Sequence, residues 1–180
     1  YRKVKYPKVV DFWYGLERAA LQAVHTGKPA GFRDVEYEMR GDWLSCRLPS
    51  GRRLWYRDPF IQMEPTPWST ADDPDIRPNL YYSAQREGQW RLIQAYGGHL
   101  TENVVQGTAR DIMVHGMWNA EKCGYPLVLT VHDELVTEPD ACKAGVQSPR
   151  MFEEIMEDPP SWASGYPIAA EAWSGHRYRK

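Results

Sequence analysis

The feature that most limits how this chain can fold is a long helix running directly into a pair of strands, between residues 100 and 138. Val104, Val105, Thr108, Ile112, Val114 and Trp118 give residues 100–122 a broad apolar face, and Gly124 is placed to end the helix. Pro126 to Val131 and Leu135 to Glu138 then read as two strands. His132-Asp133-Glu134 stands where they meet, which makes this a hairpin with a charged tip.

Upstream, residues 7–26 read as an amphipathic helix. Val9, Val10, Trp13, Leu16, Ala20, Leu21 and Val24 recur at helical spacing, Pro7 is tolerated in the first turn, and Gly27-Lys28-Pro29 stops it. Strands are expected near 34–39, 43–48 and 53–56, with a turn at Pro49-Ser50-Gly51. Another hairpin is expected over 79–84 and 90–95, turning at Arg86-Glu87-Gly88. The proline-rich stretch 58–78, with Asp72-Asp73-Pro74-Asp75, reads as a surface loop or insertion. A helix is expected at about 148–157 and a final strand over Pro167 to Trp173. Helices and strands mixed without a βαβ rhythm predict an α+β fold, helices packed on an antiparallel sheet, in a single domain over 1–180.

Size and composition set wider bounds. A chain of 180 residues with 42% apolar and 26% charged residues can bury a core and is not disordered. The eight Trp and eleven Tyr suit either an aromatic-rich core or surfaces that meet a partner or nucleic acid. Net charge is -2, but residues 1–57 carry twelve Lys and Arg against six acids, and Asp133, Glu134, Glu138 and Asp140 cluster later. Solvated surface charge explains this asymmetry, and so does phosphate contact in one place with divalent metal in another. Cys46, Cys123 and Cys142 form no CxxC pair, so reduced structural thiols in a cytoplasmic protein are expected. No apolar run reaches transmembrane length, so no membrane partner is expected. The chain opens without Met and goes straight into a helical pattern, as a segment from inside a longer protein would.

His132-Asp133-Glu134 is the sharpest local feature. Adjacent carboxylates repel, and solvent exposure alone accommodates them. A divalent cation is the other explanation, because Mg²⁺ takes one or two carboxylates plus substrate phosphates. The tripeptide does not choose between them. His25, His99, His115 and His176 have no ligand spacing to a second His or Cys and are assigned to structure or surface.

The wider context does choose. Glu102-Asn103-Val-Val-Gln106-Gly107-Thr108-Ala109-Arg110-Asp111, then Gly124-Tyr-Pro126, then Val131-His132-Asp133-Glu134-Leu135-Val136 closely resembles the palm of family A (DNA polymerase I-like, phage-type) DNA polymerases. Tyr1 to Val9 resembles the stretch that follows that family's fingers helix. Leu48 to Leu54 looks like its Gly-Arg-Arg hairpin, and Pro167 to Trp173 its closing strand. Tyr96-Gly97-Gly98 and the tail from Gly175 to Lys180 are similar to phage-type members.

The resemblance implies a partial palm with the end of the fingers. Asp133 would bind the catalytic Mg²⁺ pair as the motif C carboxylate, with Glu134 as its acidic neighbour. His132 would lie against the primer terminus. Gln106 would reach the minor groove of the terminal base pair, where acceptors are alike for every correct pair. Arg52 and Arg53 would hold backbone phosphate, or be solvated turn charges. Arg110 would touch nucleic acid, or form a structural ion pair. Asn103 stands one position after the place where the family carries Asn, and Glu102 occupies that place, which puts the role of Asn103 in question.

The implied partners are primer–template DNA and a dNTP. The dNTP would bind through a portion that precedes these residues. Neither the upstream aspartate motif nor the triphosphate-binding fingers helix occurs here, so the isolated chain is not expected to polymerise. The other readings are a non-enzymatic remnant with weak DNA binding, and a metal-dependent hydrolase using His132, Asp133 and Glu134.

Overall fold

In the computed structural model, residues 5–66, 69–140 and 147–178 are described. Cys142, the first four residues of the Tyr1–Val9 stretch, and Arg179 and Lys180 of the tail lie outside them. The chain divides into two compact units, 1–107 and 108–180. The first unit closes a core of its own because one helix and a series of consecutive hairpins suffice to build it.

Helix α1 (Pro7–Thr26) begins with Pro in its first turn, where a missing N–H costs nothing, and ends at Gly27. Gly27 adopts φ +67° and returns its amide to the Ala23 carbonyl at 3.0 Å. Six strands follow: β1 (Ala30–Phe32), β2 (Val35–Arg40), β3 (Trp43–Arg47), β4 (Arg53–Pro65), β5 (Ile76–Arg86) and β6 (Gln89–Gln94). They form one antiparallel sheet in chain order, each strand paired with the next. With the helices, this is the α+β fold expected. At the β5–β6 turn Glu87 and Gly88 both have positive φ, the backbone twist that suits a two-residue hairpin.

The stretch 58–78 is not a long loop. Strand β4 continues to Pro65 and β5 begins at Ile76, and the two pair as far as Pro65 with Ile76. The prolines mislead because they sit where the ladder tolerates them. Pro59 falls within the register shift between Arg57 and Phe60, and Pro65 ends its strand. Just beyond the paired residues, the Thr66 amide donates to the Asp75 carbonyl at 2.8 Å.

One face of the sheet makes the core. Val35, Tyr37, Leu44, Cys46, Tyr56, Leu80 and Tyr82 are buried there with Leu16, Ala19, Ala20 and Ala23 of α1. Leu100 and Val104 of helix α2 (Gly97–Lys122) join the same cluster. Burial pushes the Cys46 thiol up to about 12, so it is an inert structural thiol; Cys123 is free and exposed.

The start of α2 is fixed by α1. The Gly97 amide donates to the Glu17 carboxylate at 3.2 Å, placing a carboxylate at the helix N-terminus. Burial raises the Glu17 carboxyl above its ordinary value, and the Gly97 bond opposes that rise.

In the second unit, β7 (Leu127–Val131) and β8 (Glu134–Thr137) form a two-stranded antiparallel hairpin. Helix α3 (Pro149–Glu157) is capped by the Ser148 hydroxyl, which accepts from the Met151 amide at 3.2 Å. A single 3₁₀ turn, Ser161–Ala163, follows. The expected final strand over Pro167 to Trp173 does not form. Its alternate amides are taken by a helix instead. Ala170 donates to Glu157 at 3.0 Å and Ala172 to Glu153 at 2.7 Å, matching the two-residue period of an extended chain to an i,i+4 pair on α3.

A β-carbon added at Gly97 would lie 2.5 Å from the Trp13 carbonyl oxygen, a backbone atom. Gly97→Ala is expected to destabilise the protein by about 1–3 kcal/mol, read by urea denaturation. An unchanged midpoint would mean that α2 is not held this closely.

Candidate functional site

The hairpin tip is built by the tightest connection available. Val131 pairs with Glu134, so His132 and Asp133 alone make the turn. His132 takes φ +54°, a conformation that favours glycine and that a side chain occupies at some cost. Both turn side chains are exposed, and Glu134 is half-buried at the start of β8. The Tyr178 hydroxyl donates to the Glu134 carboxylate at 2.5 Å, and this bond pushes the phenol above its ordinary range. Asp133 therefore presents a hard oxygen donor to solvent while its neighbour's carboxylate is engaged. That donor type suits Mg²⁺, although six-coordination needs further ligands. Among the described residues, no three His, Cys, Asp or Glu side chains converge as a complete cluster. Arg110, also in this unit, is exposed and donates to the Met113 sulfur at 3.4 Å.

The remaining sequence-derived candidates lie in the first unit. Gln106 is exposed on α2, whereas Asn103 is half-buried. The Asn103 amide donates to the Tyr56 hydroxyl at 3.2 Å and meets His99 Nε2 at 3.3 Å. Tyr82 also reaches His99 Nε2, at 2.9 Å, and its ring stands edge-on to Tyr56 with centroids 4.9 Å apart. Burial lowers the His99 pKa, with nearby Glu102 opposing. Glu102 itself is exposed. Asn103 thus ties α2 to the sheet.

The two arginines are also tied into the fold. Arg52 donates to the Gly107 carbonyl at 2.8 Å, bridging the β3–β4 turn to α2. Arg53 is only 19% exposed, bonding Ser45 Oγ at 2.8 Å and lying 3.3 Å from Glu38.

The chain is similar to a phage DNA polymerase. It is 35% identical over 175 residues to the DNA polymerase of Bacillus phage SP02, a match covering 96% of this chain and 25% of that protein. The chain thus spans about a quarter of the length of that relative. No family model matches the chain, and no solved structure matches it. Among the described residues no helix is long and apolar enough to cross a membrane.

Sequence reading missed two contacts that shape these groups. The His99–Asn103 pair has helical i,i+4 spacing, which was a usable signal. The Tyr178–Glu134 bond joins residues 44 positions apart, and no local pattern announces it. Arg52 separates two roles cleanly. Arg52→Ala is expected to lower stability by about 1 kcal/mol in equilibrium denaturation, through the Gly107 bond. An arginine serving phosphate alone would leave stability unchanged.

Proposed function

We propose that this chain is the C-terminal palm portion, with the end of the fingers, of a family A, phage-type DNA-directed DNA polymerase. The parent's reaction is template-directed nucleotidyl transfer during DNA replication, in the cytoplasm of a bacterial or phage-infected cell. One observation carries the reading: a chain similar over 96% of its length to a phage DNA polymerase folds His132 and Asp133 into a two-residue turn that exposes the aspartate. The open sides of the hairpin support it. Val128 and Leu129 are 55% and 42% exposed, as strands of a larger sheet would be when taken without their neighbours.

In this reading Asp133 holds Mg²⁺, with Glu134 beside it. When bound, the ions supply charge neutralisation at the leaving phosphate and activation of the attacking hydroxyl. Glu134, restrained by Tyr178, adds negative potential next to Asp133 and helps set the turn. His132 lies against the primer terminus, and its positive φ is maintained for that placement. Gln106, exposed on α2, donates to minor-groove acceptors shared by all correct pairs, testing pair geometry without reading sequence. Arg110, exposed on the same helix, makes a backbone contact. Arg52 and Asn103 hold the start of α2 against the sheet, and Arg53 is paired within that sheet.

Primer–template DNA is the partner of these residues. The dNTP and the second metal-binding aspartate belong to parts of the parent beyond these 180 residues, and the chain by itself does not extend a primer.

Primer extension by the full-length parent tests this. Asp133→Ala is expected to reduce extension with Mg²⁺ by about a thousandfold or more, a loss on the scale of removing a group that stabilises charge in the transition state. DNA binding should survive the substitution. Normal extension by the variant would remove Asp133 from the metal site.

A further inference from the structure

The sheet of the first unit has a second face, opposite the core, and its composition is unusual. Outward sheet faces are ordinarily polar, so a contiguous exposed aromatic patch calls for an explanation. Register places the patch. Trp43 on β3 lies opposite Arg57 on β4, Arg57 opposite Ser83 on β5, and Ser83 opposite Leu92 on β6. In neighbouring rows Ser45 faces Trp55, Gln85 faces Trp90, and Phe60 faces Tyr81. Trp43, Trp55, Phe60 and Trp90 are all substantially exposed.

These rings already interact. Trp43 and Trp55 meet edge to face with centroids 6.4 Å apart, and Phe60 and Tyr81 stack at 5.6 Å with 18° between planes. The Arg57 guanidinium lies 4.5 Å from the centre of the Trp90 ring. Its other partner is exposed Asp58, at 3.1 Å, a surface pair that is cheap to exchange for a phosphate.

We infer that this face is a stacking platform for single-stranded nucleic acid, with bases on the rings of Trp43, Trp55 and Trp90 and backbone phosphate on Arg57. Arginines flank the rings on this face: Arg40 lies opposite Trp43, and Arg53 stands two positions from Trp55 on β4. The spacers between the rings are Ser45, Ser83 and Gln85, and Glu38, opposite Ser45 on β2, is paired with Arg40 and Arg53. Planar rings interleaved with arginine and small polar groups fit a ligand of flat bases and anionic links. Strands β3 to β6 are three inter-strand spacings across, about 14 Å, which is room for a few nucleotides. Paired duplex bases hide their faces, so the platform discriminates against double strands. The inference goes beyond the polymerase reading and does not depend on Asp133.

Fluorescence anisotropy of the 180-residue chain with a labelled oligothymidine of about twelve nucleotides tests it. Trp55→Ala and Trp90→Ala are each expected to weaken binding about 5- to 100-fold, the range for losing one stacked base. Trp55→Phe and Trp90→Phe, which keep a ring, should retain binding within about threefold. A duplex of the same length should bind more weakly. Thermal unfolding of each variant identifies any that lose the fold. Three outcomes overturn the proposal: Ala variants that fold and bind normally, duplex bound as tightly as single strand, or no binding by the unaltered chain. The last would assign the patch to a protein partner. None of the three would alter the expected loss of primer extension in the Asp133→Ala parent, so the two readings fail separately.

Discussion

The Gly97 amide rests on the Glu17 carboxylate, and the helix backbone passes so near Trp13 that no β-carbon fits between them. This contact fixes where α2 begins relative to α1, and with it the height at which Leu100 and Val104 enter the core. Within the first unit, the positions of Asn103 and Gln106 follow from it. Asn103 reaches Tyr56 on the sheet because the helix starts where it does, while Gln106, less than a turn later, is left facing outward. A carboxylate partly buried at a helix N-terminus has its charge penalty offset by the amide it accepts, which is why Glu17 can stay in such a place.

Much of the fold was legible because its elements announce themselves locally. The spacing of Leu16 and Ala20 marked α1, Gly27 its end, and Glu87-Gly88 a hairpin turn. What misled were signals whose meaning depends on distant chain. Pro59 and Pro65 read as loop residues, yet a bulge and a strand end accept them without loss of the ladder. Pro167 to Trp173 carries the apolar character of a strand, but Glu153 and Glu157 of α3 capture its amides.

The candidate site was legible unevenly for the same reason. Asp133 at a hairpin tip follows from the flanking strands, so sequence alone placed it. The environment of Asn103, Arg52 and Arg53 depends on partners up to 55 positions away, as in the bond from Arg52 to Gly107. The family resemblance marked these residues as able to meet phosphate or a base edge. Only the folded contacts revealed that Arg52 and Asn103 brace α2 and that Arg53 is paired within the sheet. Glu134 belongs with them, since its partner Tyr178 comes from the chain's tail.

The central claim is that the turn at His132 and Asp133 lies against a catalytic metal in the full-length parent. Iron-directed backbone cleavage measures this directly. Fe²⁺ replaces Mg²⁺ in the parent bound to primer–template DNA, and ascorbate and peroxide generate radicals that cut the chain beside the metal. The account predicts cuts within residues 131–135 that disappear in Asp133→Ala. Cleavage elsewhere in the parent with this turn intact, or cuts at the turn that persist in the variant, would contradict it.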